Sequence, residues 1–166
     1  VRTPIFYQMT DKKGYDKCIN DYNERKIEEF KEEFGDMADL NFEAAEMTKL
    51  LLRRQFCALQ KIKDGITTEL IDIKLEEDDS NKIIVFTNFT AVIDALYDKY
   101  GPEMSCIIDG RILKPEERLR ICDEFNENPA KRLIFINIKA GSTGLNLTGA
   151  NKEIINDMDW VPNNML

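Results

Sequence analysis

The sequence predicts an α/β protein in which a parallel sheet is covered by helices on both faces, with a mostly helical segment in front of the sheet. Two observations support this fold class. From Lys82 onward, short runs of β-branched residues alternate with segments whose apolar residues recur at helical spacing. Before Lys82 the apolar pattern is helical almost throughout. Strands that alternate with helices imply right-handed crossovers and therefore three layers.

The first predicted domain is residues 1–80, with one strand and three helices. Arg2–Met9 has the apolar and aromatic content of a short strand. Apolar residues at helical spacing follow up to residue 77, and the acidic stretch at 76–80 is typical of a solvated turn. The expected caps are Thr10-Asp11 and Asn41, and the expected stops are Gly35 and Gly65.

The second predicted domain is residues 81–166, with four strands and two long helices. The strand Lys82–Thr87 leads into a helix that Asn88 should cap and that the Gly-Pro pair at 101–102 should stop. The helix Lys114–Glu127 has a proline near its start and glutamates at the positive end of its dipole. The remaining strands are Met104–Asp109, Arg132–Ile138 and Glu153–Asp157.

Composition restricts the classes of function. The 166-residue chain has a net charge of −8, which argues against strong autonomous DNA binding but leaves room for local phosphate contacts. The absence of histidine excludes His-based catalysis, and the scattered cysteines disfavour a metal site. No apolar run approaches the ~20 residues of a membrane span. We expect buried thiols and an intracellular, reducing location, cytoplasm or nucleus. The thiols are Cys18, Cys57, Cys106 and Cys122.

Three polar segments should meet at one edge of the sheet, because each follows a strand and the carboxyl ends of parallel strands share an edge. They are Thr87–Phe89, Asp109–Arg111 and Lys139–Asn146. Their hydroxyl, amide, cationic and backbone N–H groups suit phosphate oxygens. Each alone is also typical of an ordinary connection: a helix cap, a turn with an exposed arginine, a tight strand-to-helix turn. The glycine-rich segment lacks the P-loop pattern. Arg118 is expected to be a solvated charge or a salt-bridge partner.

Longer stretches carry a family resemblance. "KIIVFTNFTAVIDAL", "IIDGRILKPEERLRICDEFNENP" and "INIKAGSTGLNLTGANKEIINDMDWVP" resemble, in order and spacing, the second motor lobe of Swi/Snf-type ATPases of helicase superfamily two. The resemblance is close over residues 82–162 and looser at "LLLRRQFC". It implies a RecA-like lobe that partners a first, ATP-binding lobe. Proteins of this family hydrolyse ATP with magnesium, move along double-stranded DNA, and commonly remodel nucleosomes, forks or other DNA–protein complexes.

The resemblance also implies site residues. The family contacts the phosphates of the tracked strand through three segments and faces the nucleotide with a fourth. ATP and magnesium are held mainly by the first lobe. The implied nucleic-acid residues are Thr87, Asn88, Asp109, Gly110, Arg111, Lys139, Ala140 and Gly141, and the implied cofactor residues are Gly144, Leu145 and Asn146. The chain departs from the family at Asn137, where a hydroxyl residue is common, and at Arg111, where Ser or Thr is usual.

The chain ends before the arginine-bearing helix with which the family completes its ATPase site, and the Walker lysine of the first lobe is missing. We therefore expect a lobe that is incomplete at its C-terminus, with no catalytic residue of its own, no ATP hydrolysis by the isolated chain, and a monomer. Two alternatives stay open. The lobe could be a non-enzymatic docking module, or the chain could be an unrelated nucleotide-binding α/β domain such as a sugar-nucleotide enzyme.

Overall fold

The computed structural model describes residues 3–18, 20–21, 42–141 and 144–158. The chain divides into two compact units, Val1–Gln60 and Lys61–Leu166. The boundary expected after residue 80 stays a prediction. Among the described residues, no helix is both long enough and apolar enough to span a membrane. The helix signals at Gly35 and Asn41 lie outside the described residues.

Two helices build the described part of the first unit. The helix α1 covers residues 12–18 and 20–21, and α2 covers Phe42–Lys63. The predicted cap of α1 is confirmed, because the carboxylate of Asp11 accepts a hydrogen bond from the N–H of Gly14 at 2.8 Å.

The strand predicted at the N-terminus is wrong. Residues 3–9 have no regular secondary structure. Phe6 is 91% exposed and Ile5 is 58% exposed, so these apolar side chains are not held against a core. An isolated extended segment is not stable without a neighbouring strand or a packed face, and local composition alone does not supply either.

The predicted stop at Gly65 is confirmed. Gly65 has φ 81°, in the left-handed region that favours glycine, and its N–H donates to the carbonyl of Ile62 at 3.1 Å. The helix α3, Ile66–Glu77, begins directly afterwards. The exposed turn that follows α3 at residues 78–80 was also predicted.

The second unit contains a four-stranded, all-parallel sheet with strand order β2-β3-β1-β4. The register pairs Thr87 with Asn137 and Ile108 with Ile136. The carboxyl ends of the first three strands therefore lie side by side. The strands are β1, Ile83–Thr87; β2, Ser105–Ile108; β3, Leu133–Asn137; and β4, Lys152–Ile155.

Two long helices cover opposite faces of this sheet. The helix α4, Thr90–Met104, connects β1 to β2, and α5, Pro115–Glu127, connects β2 to β3. The first connection crosses the sheet in one direction and the second returns, so right-handed crossovers put the two helices on opposite faces. The predicted stop in α4 is a kink at Gly101, φ 75° and ψ 165°, after which one short turn continues to Met104.

The core divides between the two faces by strand alternation. Phe125 of α5 is fully buried against one face, together with Ile134 and Ile136 of β3. On the other face, Phe135 of β3 contacts the ring of Tyr100 of α4, with ring centroids 6.2 Å apart. Three apolar residues of α4 are fully buried: Val92, Ile93 and Leu96. The predicted α/β class with three layers is confirmed.

Lys82 closes the C-terminal end of α5 at the opposite edge of the sheet from the carboxyl ends of the strands. Its ammonium donates hydrogen bonds to the carbonyls of Asn126 at 3.1 Å, Asn128 at 2.9 Å, and Phe125. A cation at this position satisfies carbonyls that have no partner within the helix. Burial lowers the pKa of Lys82.

All four cysteines are free thiols, but only two of them are buried. Cys106 and Cys122 lie in the core beside α5, and burial raises the pKa of Cys106 to about 11. Cys18 and Cys57 are half-buried, so the expectation of four buried thiols is wrong for this pair. Helical spacing identifies an inward face but not how completely neighbouring elements cover it.

Candidate nucleic-acid interface

The parallel sheet brings the beginnings of all three predicted segments to one edge, here called the rim: Thr87–Asn88 after β1, Asp109–Arg111 after β2 and Ile138–Gly141 after β3. Since β2, β3 and β1 are adjacent, the three segments follow one another along that edge. The helices α4 and α5 both begin at the rim.

The segment at the end of β1 is held by hydrogen bonds to the carboxylate of Asp157. Thr87 is fully buried, and its hydroxyl donates to Asp157. The backbone N–H and the side-chain amide of Asn88 donate to the same carboxylate at 2.9 and 2.8 Å. The prediction that Asn88 caps α4 is therefore wrong. The N-cap position belongs to Phe89, without a side-chain cap. The side chain of Asn88 is bound to Asp157 through its N–H donors instead.

Asn137, the last residue of β3, joins this segment to the next one. Its side-chain N–H donates to the carbonyl of Asn88 at 3.0 Å, and its side-chain oxygen accepts the N–H of Lys139 at 3.1 Å. Lys139 lies in the one-turn helix α6, Ile138–Gly141, with its side chain exposed. The neighbouring Ala140 is 7% exposed. Asn137 thus fills a structural position where the family often has a hydroxyl residue.

The segment after β2 contains a closed ion-pair cluster. Asp109 is 1% exposed and accepts from the Nε and Nη2 of Arg111 at 2.8 and 2.6 Å. Arg111 also donates to Asp94 of α4 at 2.8 Å. Burial alone would raise the pKa of Asp109, but the hydrogen bonds from Arg111 outweigh it and hold that pKa below its ordinary value. Gly110 is exposed, and a Cβ at this position would have no atom within 4 Å.

Arg118 joins two of the rim segments. Its Nε donates to the carbonyl of Ile112 at 2.8 Å, and its Nη1 approaches the carbonyl of Ala140 at 3.5 Å. It is half-buried and bonded to backbone carbonyls, so the expectation of a solvated charge is wrong, while the expectation of a salt-bridge partner stays a prediction. An arginine on the first turn of α5 can reach both loops because they start from neighbouring strands.

The predicted cofactor residues lie in the return segment between α6 and β4. Gly144 is exposed with φ 65°, and Asn146 is exposed. Leu145 packs partly against the core beside α5. The side chain of Asn126 donates to the carbonyl of Asn146 at 2.9 Å, and since Asn126 is near the end of α5, the structure does not group Asn146 with the rim.

Three residues organise the rim: Asp157, Asn137 and Arg118. The sequence did not single out Asp157, and it did not predict the contacts of Asn137 and Arg118. Each acts through contacts with residues that are distant in the chain. For example, Asn88 and Asp157 are 69 positions apart. The available signal for Asp157 was weak, a polar residue at the carboxyl end of a predicted apolar strand. Such a residue lies at the carboxyl edge of the sheet and can reach the ends of neighbouring strands.

The chain belongs to the helicase conserved C-terminal domain family, whose model matches residues 63–166. The second unit of the structure, which starts at Lys61, contains this whole match. The alternative of an unrelated nucleotide-binding α/β domain is thereby excluded. The resemblance to the C-terminal lobe of Snf2-type helicases, identified from the sequence, is confirmed.

The relatives and solved structures agree with this assignment. An uncharacterized ATP-dependent helicase of Mycoplasma pneumoniae is 29% identical over 171 residues, which cover 96% of this chain and 16% of the relative. The C-terminal domain of the Sulfolobus solfataricus SWI2/SNF2 ATPase superposes with a TM-score of 0.62 at 24% identity, covering 90% of this chain and 69% of that one. The core of the same ATPase in complex with double-stranded DNA gives a TM-score of 0.62 at 21% identity, covering 91% and 33%.

The curated relatives are much longer than this chain, which spans between 6% and 16% of the first three. The structural likenesses show the RecA-like fold.

Magnesium, which the family implies, requires several oxygen ligands. Within the described residues, no group of three or more Asp, Glu or Cys side chains is arranged to hold a metal ion.

Proposed function

We propose that this lobe grips the phosphates of double-stranded DNA at its rim and completes an ATP site together with a second, N-terminal lobe of the same protein. ATP that bridges the two lobes favours their closure, and its hydrolysis lets the lobes open again. In each cycle the grip of one lobe therefore shifts along the strand. The observation that carries the proposal is the placement of three predicted phosphate-contacting segments on one edge of the sheet.

The exposed groups of the rim are those we assign to direct phosphate contact. Lys139 is exposed, Arg111 is 55% exposed, and the backbone at Gly110 is open to close approach. Backbone amides and short polar groups of this kind hold phosphates without reading bases, which suits movement that is independent of sequence.

Three of the predicted residues take an indirect role in this proposal. The side chains of Thr87, Asp109 and Ala140 are between 0% and 7% exposed. A side chain so deeply buried does not meet a DNA phosphate, whose charge stays hydrated or paired with a cation. We assign these residues to holding the backbone of the rim segments in place.

We assign the nucleotide to Gly144–Asn146. The position of Gly144 suits a ligand that approaches the backbone closely, because a Cβ at this residue would point into open space. Bound ATP supplies the phosphoanhydride bond whose hydrolysis drives the cycle. Magnesium would be held mainly by the first lobe. The residues of this chain bind and orient in this proposal, and they do not transfer protons.

The charge distribution supports a weak grip by the lobe alone. At the rim, the cation of Arg111 is paired with Asp94 and Asp109, and the chain carries a net charge of −8. Affinity for DNA depends on neutralising phosphates with cations. We therefore expect measurable binding of the isolated chain only at low salt, with the second lobe needed for a strong grip.

The alternative is a docking module that derives from such a lobe and has no part in ATP hydrolysis. Hydrolysis of ATP by the complete protein, measured as phosphate release with and without duplex DNA, separates the two functions. The translocase proposal expects release that depends on magnesium and rises when DNA is added. Release that is absent, or unaffected by DNA, would leave the docking module as the better account.

A further inference from the structure

Asp157 is a buried carboxylate that no family assignment above accounts for. It lies two residues after the end of β4 and is 8% exposed. Its two oxygens accept four hydrogen bonds: the Thr87 hydroxyl and the side chain of Asn156 on one oxygen, and the N–H and side-chain amide of Asn88 on the other. A carboxylate can accept about four such bonds, so its capacity is filled.

The bonds to Asp157 fix the start of the rim from one side. Both polar side chains of the Thr87–Asn88 segment point at the carboxylate, and the carbonyl of Asn88 is held from the other side by Asn137 at 3.0 Å. The segment is therefore fastened to the ends of β4 and β3 at the point where β1 passes into α4.

The carboxylate itself is held in place by the residue before it. Asn156 accepts a hydrogen bond from the hydroxyl of Thr67 of α3 at 2.6 Å, and its carbonyl accepts one from the ammonium of Lys61. Its N–H donates to the carbonyl of Phe86 of β1 at 2.9 Å. The end of β4 is thus anchored to a helix and to the central strand, so Asp157 is a fixed point and not a mobile side chain.

We infer that Asp157 is a positioning residue, which holds the Thr87–Asn88 segment in its place in the rim, and that the grip of the rim on DNA depends on this placement. This inference rests on the proposed function. It predicts a change in DNA affinity opposite to the one that charge alone would give. A carboxylate close to a phosphate site repels the phosphate, so electrostatics alone would make its removal strengthen DNA binding. If position matters more than charge, its removal weakens binding.

The test compares Asp157→Asn with a matched change, Asp98→Asn, at an exposed position of α4. Both remove one negative charge. Affinity is measured by fluorescence anisotropy with a short labelled DNA duplex at low salt. Since Asp157→Asn turns one acceptor oxygen into a donor, it should weaken binding by roughly five- to tenfold, about the effect of one or two hydrogen bonds. Asp98→Asn should leave the affinity unchanged or raise it slightly.

Amide hydrogen exchange supplies a readout that does not depend on DNA. The N–H of Asn88 should exchange faster in Asp157→Asn than in the wild type, while amides of the core strand β3 keep their protection. Unchanged exchange at Asn88 overturns the inference, whether or not DNA binds. Wild-type chain that binds no duplex would refute the proposed function, and faster exchange would still establish the hold of Asp157 on the segment.

A second variant serves if Asp157→Asn does not fold. Thr87→Val keeps the charge of Asp157 and a β-branched residue in β1. It removes the hydroxyl, which donates to the carboxylate and accepts the N–H of Phe89 at 3.2 Å. Because Thr87 is fully buried, an effect on DNA affinity must pass through the segment. We expect roughly two- to fivefold weaker binding with faster exchange at Asn88. Wild-type affinity together with wild-type exchange contradicts the inference.

Discussion

Gly149 tests whether the small residues of the return segment serve the fold. A Cβ built on Gly149 would lie 3.0 Å from the Cα of Asn126, 3.0 Å from its side-chain oxygen and 3.3 Å from its carbonyl oxygen. The same side-chain oxygen accepts the N–H of Gly149 at 2.8 Å. Two of the three close atoms are backbone of α5, which cannot move aside as a flexible side chain would.

The expected cost of Gly149→Ala follows from these distances. Overpacking by one carbon costs about 1–3 kcal/mol. The smaller conformational freedom of alanine in the unfolded chain returns about 0.4–1 kcal/mol, because φ at Gly149 is outside the left-handed region. The net loss is about 1–2 kcal/mol, or a thermal midpoint lower by roughly 2–8 °C.

Gly110→Ala is the matched control in calorimetry or urea unfolding. No atom lies within 4 Å of a Cβ at Gly110, and its φ is also outside the left-handed region, so the variant should be as stable as the wild type or up to about 1 kcal/mol more stable. A Gly149→Ala variant as stable as Gly110→Ala would refute the close approach to α5. If Gly110 faces a phosphate, its variant should weaken DNA binding despite its stability.

Two further changes test the ion-pair cluster of Arg111 and the hydrogen bonds of Lys82 at the C-terminal end of α5. Arg111→Gln leaves the buried carboxylate of Asp109 without its partner, and should lower the free energy of unfolding by about 1–3 kcal/mol at neutral pH. The pKa of Asp109 is lowered in the folded protein, so its stabilisation is complete above the ordinary value of 3.8 and is lost as the pH falls through the folded pKa. The difference from wild type should therefore shrink in acid, and a difference that grows in acid contradicts this. Lys82→Met removes three hydrogen bonds to carbonyls near the end of α5 and should cost about 1–3 kcal/mol in urea unfolding. An unchanged midpoint would mean that water satisfies those carbonyls equally well.

The sheet and its helices could be predicted from the sequence because their signals are local. The run Leu133–Ile136 is buried at every position, as expected for a central parallel strand covered on both faces. The helix α5 begins at Pro115 and presents Phe125 to the core, as its apolar spacing predicts. Alternation of such strands and helices then places the polar segments at one edge, since the handedness of crossovers leaves few other topologies.

What could not be predicted depends on contacts between distant parts of the chain. Asn88 is a residue type typical of an N-cap, but its side-chain amide donates to the distant carboxylate of Asp157 and does not cap α4. Arg118 has the sequence context of a surface charge on α5, yet its guanidinium reaches two loops that the sheet brings together. In both cases local propensity is overridden by groups that become neighbours only in the folded sheet.

The prediction of an N-terminal strand was wrong for a related reason. Composition at Arg2–Met9 favours an extended backbone, but extension becomes a strand only when another strand pairs with it. The exposed ring of Phe6 shows that this segment buries little against its own unit. Local sequence predicts what a segment can form, while the partner that stabilises it is set elsewhere.

The central claim is that the rim of the sheet grips DNA phosphates, and the salt dependence of duplex binding tests it most directly. Lys139→Glu reverses a charge at the rim, and Lys152→Glu makes the same reversal at the opposite end of the strands, where β4 begins. We predict that Lys139→Glu weakens binding and lowers the slope of log affinity against log salt by about 1 or more, while Lys152→Glu leaves that slope unchanged. Equal losses for the two variants, with both still folded, would contradict the account.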